Sequence, residues 1–179
     1  MSQSETPNIT WVNNWRFLNG KPLIRVMQIL NPPTLDRPDM KVAFEIGRAA
    51  HSQIERKFEE DAVMEIAYHI DRGDYIIEFH PDMFFPRQNL VVEIKSAKYF
   101  LIERYMCIKQ LSAYVAALKP QDAQHGIFAL YELEFQNGSP RVKSMSFQAE
   151  PLIPAEEIMA EIFEKGDAYY TKLHAEGKF

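Results

Sequence analysis

Apolar positions follow two different periods along this chain. In its middle they fall two apart or in short blocks; on either side they fall four apart. Ile46, Ala50, Ile54 and Phe58 make a four-spaced stripe, which predicts a helix from Pro38-Asp39 to about Glu60 with that stripe buried. AVMEIAYHI, residues 62–70, partly alternates and predicts a strand; DRGD, residues 71–74, is a turn. YIIEFHPDMFF and LVVEIKSA predict two more strands joined by PRQN. YFLIERYMCIKQLSAYVAAL, from Tyr99, predicts a long helix ending near Lys119-Pro120. HGIFALYELEF and RVKSMSFQA flank Asn137-Gly138, a strong hairpin signal. PAEEIMAEIFEKGDAYYTKLHAEG predicts a closing amphipathic helix with Pro154 in its first turn. Trp11 to Leu30 has apolar residues at mixed spacing and predicts two short helices. NPPTLDRPD, residues 31–39, is a loop, because its prolines forbid regular structure. Residues 1–10 are expected as a flexible tail and 11–179 as one domain. The sum is an α+β fold: a central mixed sheet of about five strands flanked by helices.

Composition narrows the class. The chain has 179 residues, 46% hydrophobic and 25% charged, which describes a globular protein. No apolar run approaches the roughly 18 residues of a membrane span, and MSQSETPNIT lacks the basic start and apolar core of a signal peptide. A cytoplasmic location is the expectation. Cys107 is the only cysteine and reads as buried filler. One thiol allows no internal disulfide, and no zinc site or iron–sulfur cluster built on several cysteines. The formal charge of −5 argues against a nucleic-acid coat, but it is unevenly spread. Residues 87–119 hold six Lys or Arg against two acids, whereas residues 150–179 hold seven acids against three lysines. Such a chain could meet a polyanion on one face; solvated helix faces explain the same counts.

Candidate chemistry concentrates in HPDMFFPRQNLVVEIKSAK, residues 80–98. With PRQN as the loop, Phe85 pairs with Leu90, and Asp82 then lies opposite Glu93, with His80 opposite Lys95. Directly opposed residues share a face, roughly 4.5–5.5 Å apart at Cβ. Two carboxylates so placed call for a cation between them, either Lys95 or a divalent metal. Oxygen ligands on rigid strands suit Mg²⁺ or Mn²⁺. A register slip at Pro86 would break this pairing.

Pro81-Asp82 followed by Glu93-Ile94-Lys95 resembles the PD-(D/E)XK nucleases. GRAAH places His51 on a helix upstream, and QLSAY places Gln110 and Tyr114 four apart on a helix downstream. That order resembles the RecB-type branch of the superfamily, which includes helicase-associated nuclease domains, phage-type exonucleases and CRISPR-adaptation nucleases. The resemblance covers roughly residues 44–118 and implies a restriction-endonuclease-like core. It also implies that Asp82, Glu93, the Ile94 carbonyl and His51 bind Mg²⁺ or Mn²⁺. Lys95 would orient or deprotonate the attacking water or stabilise transition-state charge, and Gln110 and Tyr114 would sit over the site. Lys98, Arg104 and Lys109 are candidate contacts to the DNA backbone. His80 would act from behind the ligands. Glu55, one turn after His51, pairs with it or adds a ligand; the structural role is favoured. The chain departs from many RecB-type members in lacking the four cysteines of their iron–sulfur cluster.

The implied function is a Mg²⁺- or Mn²⁺-dependent deoxyribonuclease acting on DNA ends or single strands, in repair, recombination, or CRISPR-type or viral DNA processing. Its partner is DNA, with room for a helicase, recombination or CRISPR-type protein; an oligomer is compatible and a membrane is not. The alternative is a DNA-binding or assembly module with little activity of its own, to which the acidic final helix and small size also fit. No GxxxxGK[ST] or GxGxxG motif marks a nucleotide-binding loop.

Overall fold

The computed structural model describes residues 9–32, 39–64 and 66–179. The expected tail over residues 1–8 and the proline-rich loop over 33–38 lie outside the described residues. The chain begins as strands, not helices: β1 (Ile9–Val12), β2 (Trp15–Leu18) and β3 (Lys21–Arg25), then a short helix α1 (Val26–Leu30). Ile9 and Thr10, expected in the tail, pair with β2. The physical reason lies in the turns. Asn13 and Asn14 take φ of 48° and 67°, and Asn19 and Gly20 take 51° and 80°. These left-handed pairs form the tight turns that join twisted hairpins. Strands this short are too brief for a period to declare itself.

Helix α2 (Asp39–Glu55) follows. Its backbone bonding continues as turns, with Asp61 and Ala62 donating to the Phe58 carbonyl, so the expected helix stops short of Glu60 only as a regular helix. Next come β4 (Val63–Met64), β5 (Tyr68–Asp71), β6 (Ile76–Phe79), β7 (Met83–Phe85) and β8 (Leu90–Ser96). Two expected strands are each split in two, and the halves serve different sheets. The first sheet has the order β1-β2-β3-β6-β5, and the second, with β9 (His125–Gln136) and β10 (Ser139–Ala149), has the order β10-β9-β8-β7-β4. Each is mixed: β3 runs parallel to β6, β8 runs parallel to β9, and the remaining neighbours are antiparallel. The break between β6 and β7 falls at His80-Pro81-Asp82, where Pro81 has no N–H to give a ladder. The hairpin after it keeps the expected register, Phe85 with Leu90 and Met83 with Val92, around a 3-10 turn at Pro86–Gln88.

The expected long helix bends at Glu103 into α3 (Ala97–Ile102) and α4 (Arg104–Ala117). Ser96 caps α3 by accepting the Tyr99 N–H. The Asn137-Gly138 hairpin and the closing helix α5 (Ala155–Ala175) form as expected. The second sheet is a five-stranded mixed sheet between helices. On one face, Met83, Val92, Ile94, Ala129 and Tyr131 pack on Ala50 and Ile54 of α2. On the other, Phe84, Val91 and Phe128 join Leu111 of α4, Ile158 and Ile162 of α5, and Ile24, Ile77 and Phe79 of the first sheet in the main core. The fold is thus α+β, as expected. Gly126 lets α4 approach closely: a Cβ there would lie 2.9 Å from Leu111 Cγ. No helix among the described residues is long and apolar enough to cross a membrane.

Candidate metal centre

The two sheets meet where the chain passes from β6 to β7, and a cleft of about 930 Å³ opens at that seam. His51, Asp82, Glu93, Lys95, Gln110 and Tyr114 all line it. They arrive from α2, the β6–β7 turn, β8 and α4. Burial of Ala50 and Ile54 fixes the rotation of α2 and so turns His51 towards the turn. Gln53 holds the same helix to β10, donating to the Pro140 carbonyl and accepting the Val142 N–H.

Asp82 does not sit in a ladder pair opposite Glu93, as the register alone suggests. The ladder ends at Met83. The carboxylate instead accepts the Ile94 N–H at 2.7 Å through Oδ2, while Oδ1 lies 3.3 Å from His51 Nδ1. Burial works against its charge, but His51, Lys95 and the Ile94 N–H outweigh that and hold the carboxyl below its ordinary range. Desolvation likewise works against protonated His51, and Asp82 more than compensates, raising its pKa. The His51 ring meets Tyr131 edge-on, with centroids 6.4 Å apart.

Glu93 is 2% exposed. Its Oε1 accepts from Lys95 Nζ at 2.7 Å and from Gln110 Nε2 at 2.8 Å. Its Oε2 is buried without a hydrogen-bond partner among the described residues. Burial, with Asp82 beside it, pushes the Glu93 carboxyl up to about 7. Burial disfavours the Lys95 ammonium, yet Glu93 and Asp82 together keep its pKa above the ordinary lysine value. Gln110 Nε2 also donates to the Tyr114 hydroxyl at 2.9 Å, and burial with nearby Glu93 raises the Tyr114 pKa well above that of a free phenol.

Metal-ligand geometry brings two of the expected ligands, His51 and Asp82, together with Glu55, and does not include Glu93 in the same group. Ligand atoms of His51, Glu55 and Asp82 all lie within 4.8 Å of one another. Glu55, for which the sequence favoured a structural role, is thus within reach of a cation held by His51 and Asp82; the four-residue step from His51 was the available signal. Ile94 contributes its N–H to Asp82, and its side chain packs beneath α2. His80 lines the cleft from the turn and does not pair across a ladder with Lys95. Arg25, Arg48 and Glu78 also line the cleft and were not singled out in the sequence. Among the expected DNA contacts, Lys98 is exposed on α3. Arg104 is engaged with Glu150 at 2.7 Å and Lys109 with Glu161 at 2.5 Å, so both tie α4 to neighbouring elements.

No family model matches the chain, and no curated protein sequence matches it. A solved structure described as "Crystal structure of SSO0001" aligns over 80% of this chain and 74% of its own, with 18% identity and a TM-score of 0.49. Likeness of that degree assigns no activity to the cleft.

Proposed function

We propose that this protein is a Mg²⁺- or Mn²⁺-dependent DNA nuclease. The observation that supports it most is the convergence of His51, Glu55, Asp82, Glu93 and Lys95 on one cleft, with Glu93 Oε2 buried and unpartnered among the described residues. An unmade bond of that kind costs about 1–3 kcal/mol. A hard cation relieves the cost, and a set of carboxylates with one imidazole and no thiolate suits Mg²⁺ or Mn²⁺. His51, Glu55, Asp82 and Glu93 would hold the ion, with the Ile94 carbonyl as a further ligand. Bound there, it would supply Lewis acidity towards a phosphodiester and a more acidic water.

The chain's own side chains account for the remainder. The Lys95 ammonium, held charged by Glu93, is placed to stabilise negative charge gathering on phosphate oxygens. Gln110 and Lys95 fix the Glu93 carboxylate through Oε1 and leave Oε2 without a partner among the described residues. Tyr114 in turn steadies Gln110. The motif order from His51 to Tyr114 supports DNA as the substrate class, with cleavage at ends or in single strands.

The test is cleavage of end-labelled single-stranded, linear duplex and circular DNA in EDTA, Mg²⁺ or Mn²⁺. Wild type should cut with metal and not in EDTA. Lys95→Ala should lose about a hundredfold or more in rate while melting as a folded protein. Folded wild-type protein that cuts none of these substrates with either metal would overturn the proposal.

A further inference from the structure

The first sheet carries chemistry that the cleft ligands do not use. Its register brings Arg25 beside Glu78 across the parallel ladder and His69 beside Glu78 across the antiparallel one. The Glu78 side chain is 1% exposed, and Arg16 grips both of its oxygens at 2.8 Å. A bidentate arginine already neutralises one carboxylate. Arg25 nonetheless adds a third contact, Nε to Oε2 at 3.3 Å, while its own side chain stays 62% exposed. Two guanidiniums on one carboxylate leave a positive charge over, and Arg25 brings it to the wall of the cleft. Trp11 pairs with Arg16 across the β1–β2 ladder, and the Arg16 guanidinium lies 6.0 Å from the Trp11 ring centroid. Trp11, on edge strand β1, is 66% exposed. An exposed aromatic ring and surplus cationic charge carried by one sheet are the combination that receives unpaired bases and their phosphates.

We infer that Trp11 and Arg25 form a binding site for an unpaired DNA strand that runs along the first sheet into the cleft, Trp11 stacking on a base outside the cleft and Arg25, at its wall, holding a backbone phosphate. The inference rests on the nuclease reading and extends it: substrate crosses the first sheet as a single strand before reaching Asp82 and Glu93. A closed duplex keeps its base faces stacked inside and offers Trp11 nothing comparable.

Fluorescence anisotropy of labelled single-stranded and blunt duplex oligonucleotides, in EDTA so that nothing is cut, tests it. Trp11→Ala should weaken single-strand binding about tenfold and leave duplex binding nearly unchanged, and Trp11→Phe should recover most of the loss. Arg25→Ala should reduce the dependence of log affinity on log salt by about 0.7, and Arg25→Lys should restore it. Single-strand affinity and salt slope unchanged in Trp11→Ala and Arg25→Ala, or equal loss on both DNA forms in Trp11→Ala, would overturn the inference. Metal-dependent cleavage by wild type would in that event leave the nuclease proposal standing. Wild-type protein that neither binds nor cuts DNA would remove both.

Discussion

Glu93 shows how one side chain records conflicting demands. Its carboxyl is buried beside Asp82, and these two influences lift its pKa from an ordinary 4.5 to about 7. A raised carboxyl pKa means that the folded protein binds the proton more tightly than the unfolded chain. Its contribution to stability is therefore full below pH 4.5 and is lost as pH rises towards 7. His51, also raised, acts in the same direction above its ordinary 6.5. In EDTA, the unfolding free energy should fall by up to about 3 kcal/mol between pH 4.5 and 7. Glu93→Gln should flatten most of that slope and leave the protein more stable at neutral pH. Urea unfolding across this range checks it; an unchanged slope in the variant would show that Glu93 is already ionised when folded.

At the scale of elements, the first sheet depends on an ion pair that joins distant strands. Arg16 on β2 reaches Glu78 on β6 past β3, and Arg25 on β3 makes the same carboxylate shared. Burial acts against the Glu78 charge, but Arg16 and Arg25 outweigh it and lower its pKa. The stability it contributes is present above its ordinary 4.5 and is lost as pH falls through the lowered value. Arg16→Ala leaves a buried carboxylate with only Arg25 at 3.3 Å and His69 at 3.6 Å beside it among the described residues and should cost about 3 kcal/mol. Glu78→Gln placed on top of Arg16→Ala should recover part of that loss, since the uncompensated charge is then gone. Chemical denaturation of the single and double variants measures both. Additive losses would mean that the two groups do not act as a pair.

For the whole molecule, the cleft exists only because separate segments meet at the seam of two sheets. His51, Asp82 and Glu93 are brought together by α2, the β6–β7 turn and β8, so the unfolded chain offers no comparable site. A divalent ion that binds the folded form alone must stabilise it. Mn²⁺ at about a hundredfold its dissociation constant should raise Tm by about 5–10 °C. Asp82→Ala should abolish the rise, and differential scanning calorimetry with and without EDTA reads it directly. An equal rise in the variant would place the ion elsewhere.

Much of this was legible in the chain itself, because periods and turn residues act locally. The buried Ala50 and Ile54 of the expected stripe, the Asn137-Gly138 hairpin and the Phe85–Leu90 register follow from spacing and turn chemistry alone. So does the order of His51, Asp82, Glu93, Lys95, Gln110 and Tyr114, in which one strand face already groups Glu93 with Lys95 and one helix face Gln110 with Tyr114. The strands from Ile9 to Arg25 were not legible as strands, since each is four or five residues long and their asparagine turns were the stronger signal. Nor was the division into two sheets, which is decided where His80-Pro81-Asp82 leaves one ladder before Met83 enters the other. That departure turns the Asp82 carboxylate onto the Ile94 N–H and leaves Glu93 Oε2 buried and alone among the described residues. The arrival of Glu55 beside His51 and Asp82, and of Arg25 at the same cleft, likewise depends on contacts between segments far apart in sequence. The sequence by itself determined which groups were available and in what order; packing of the two sheets against α2 and α4 decided which of them meet.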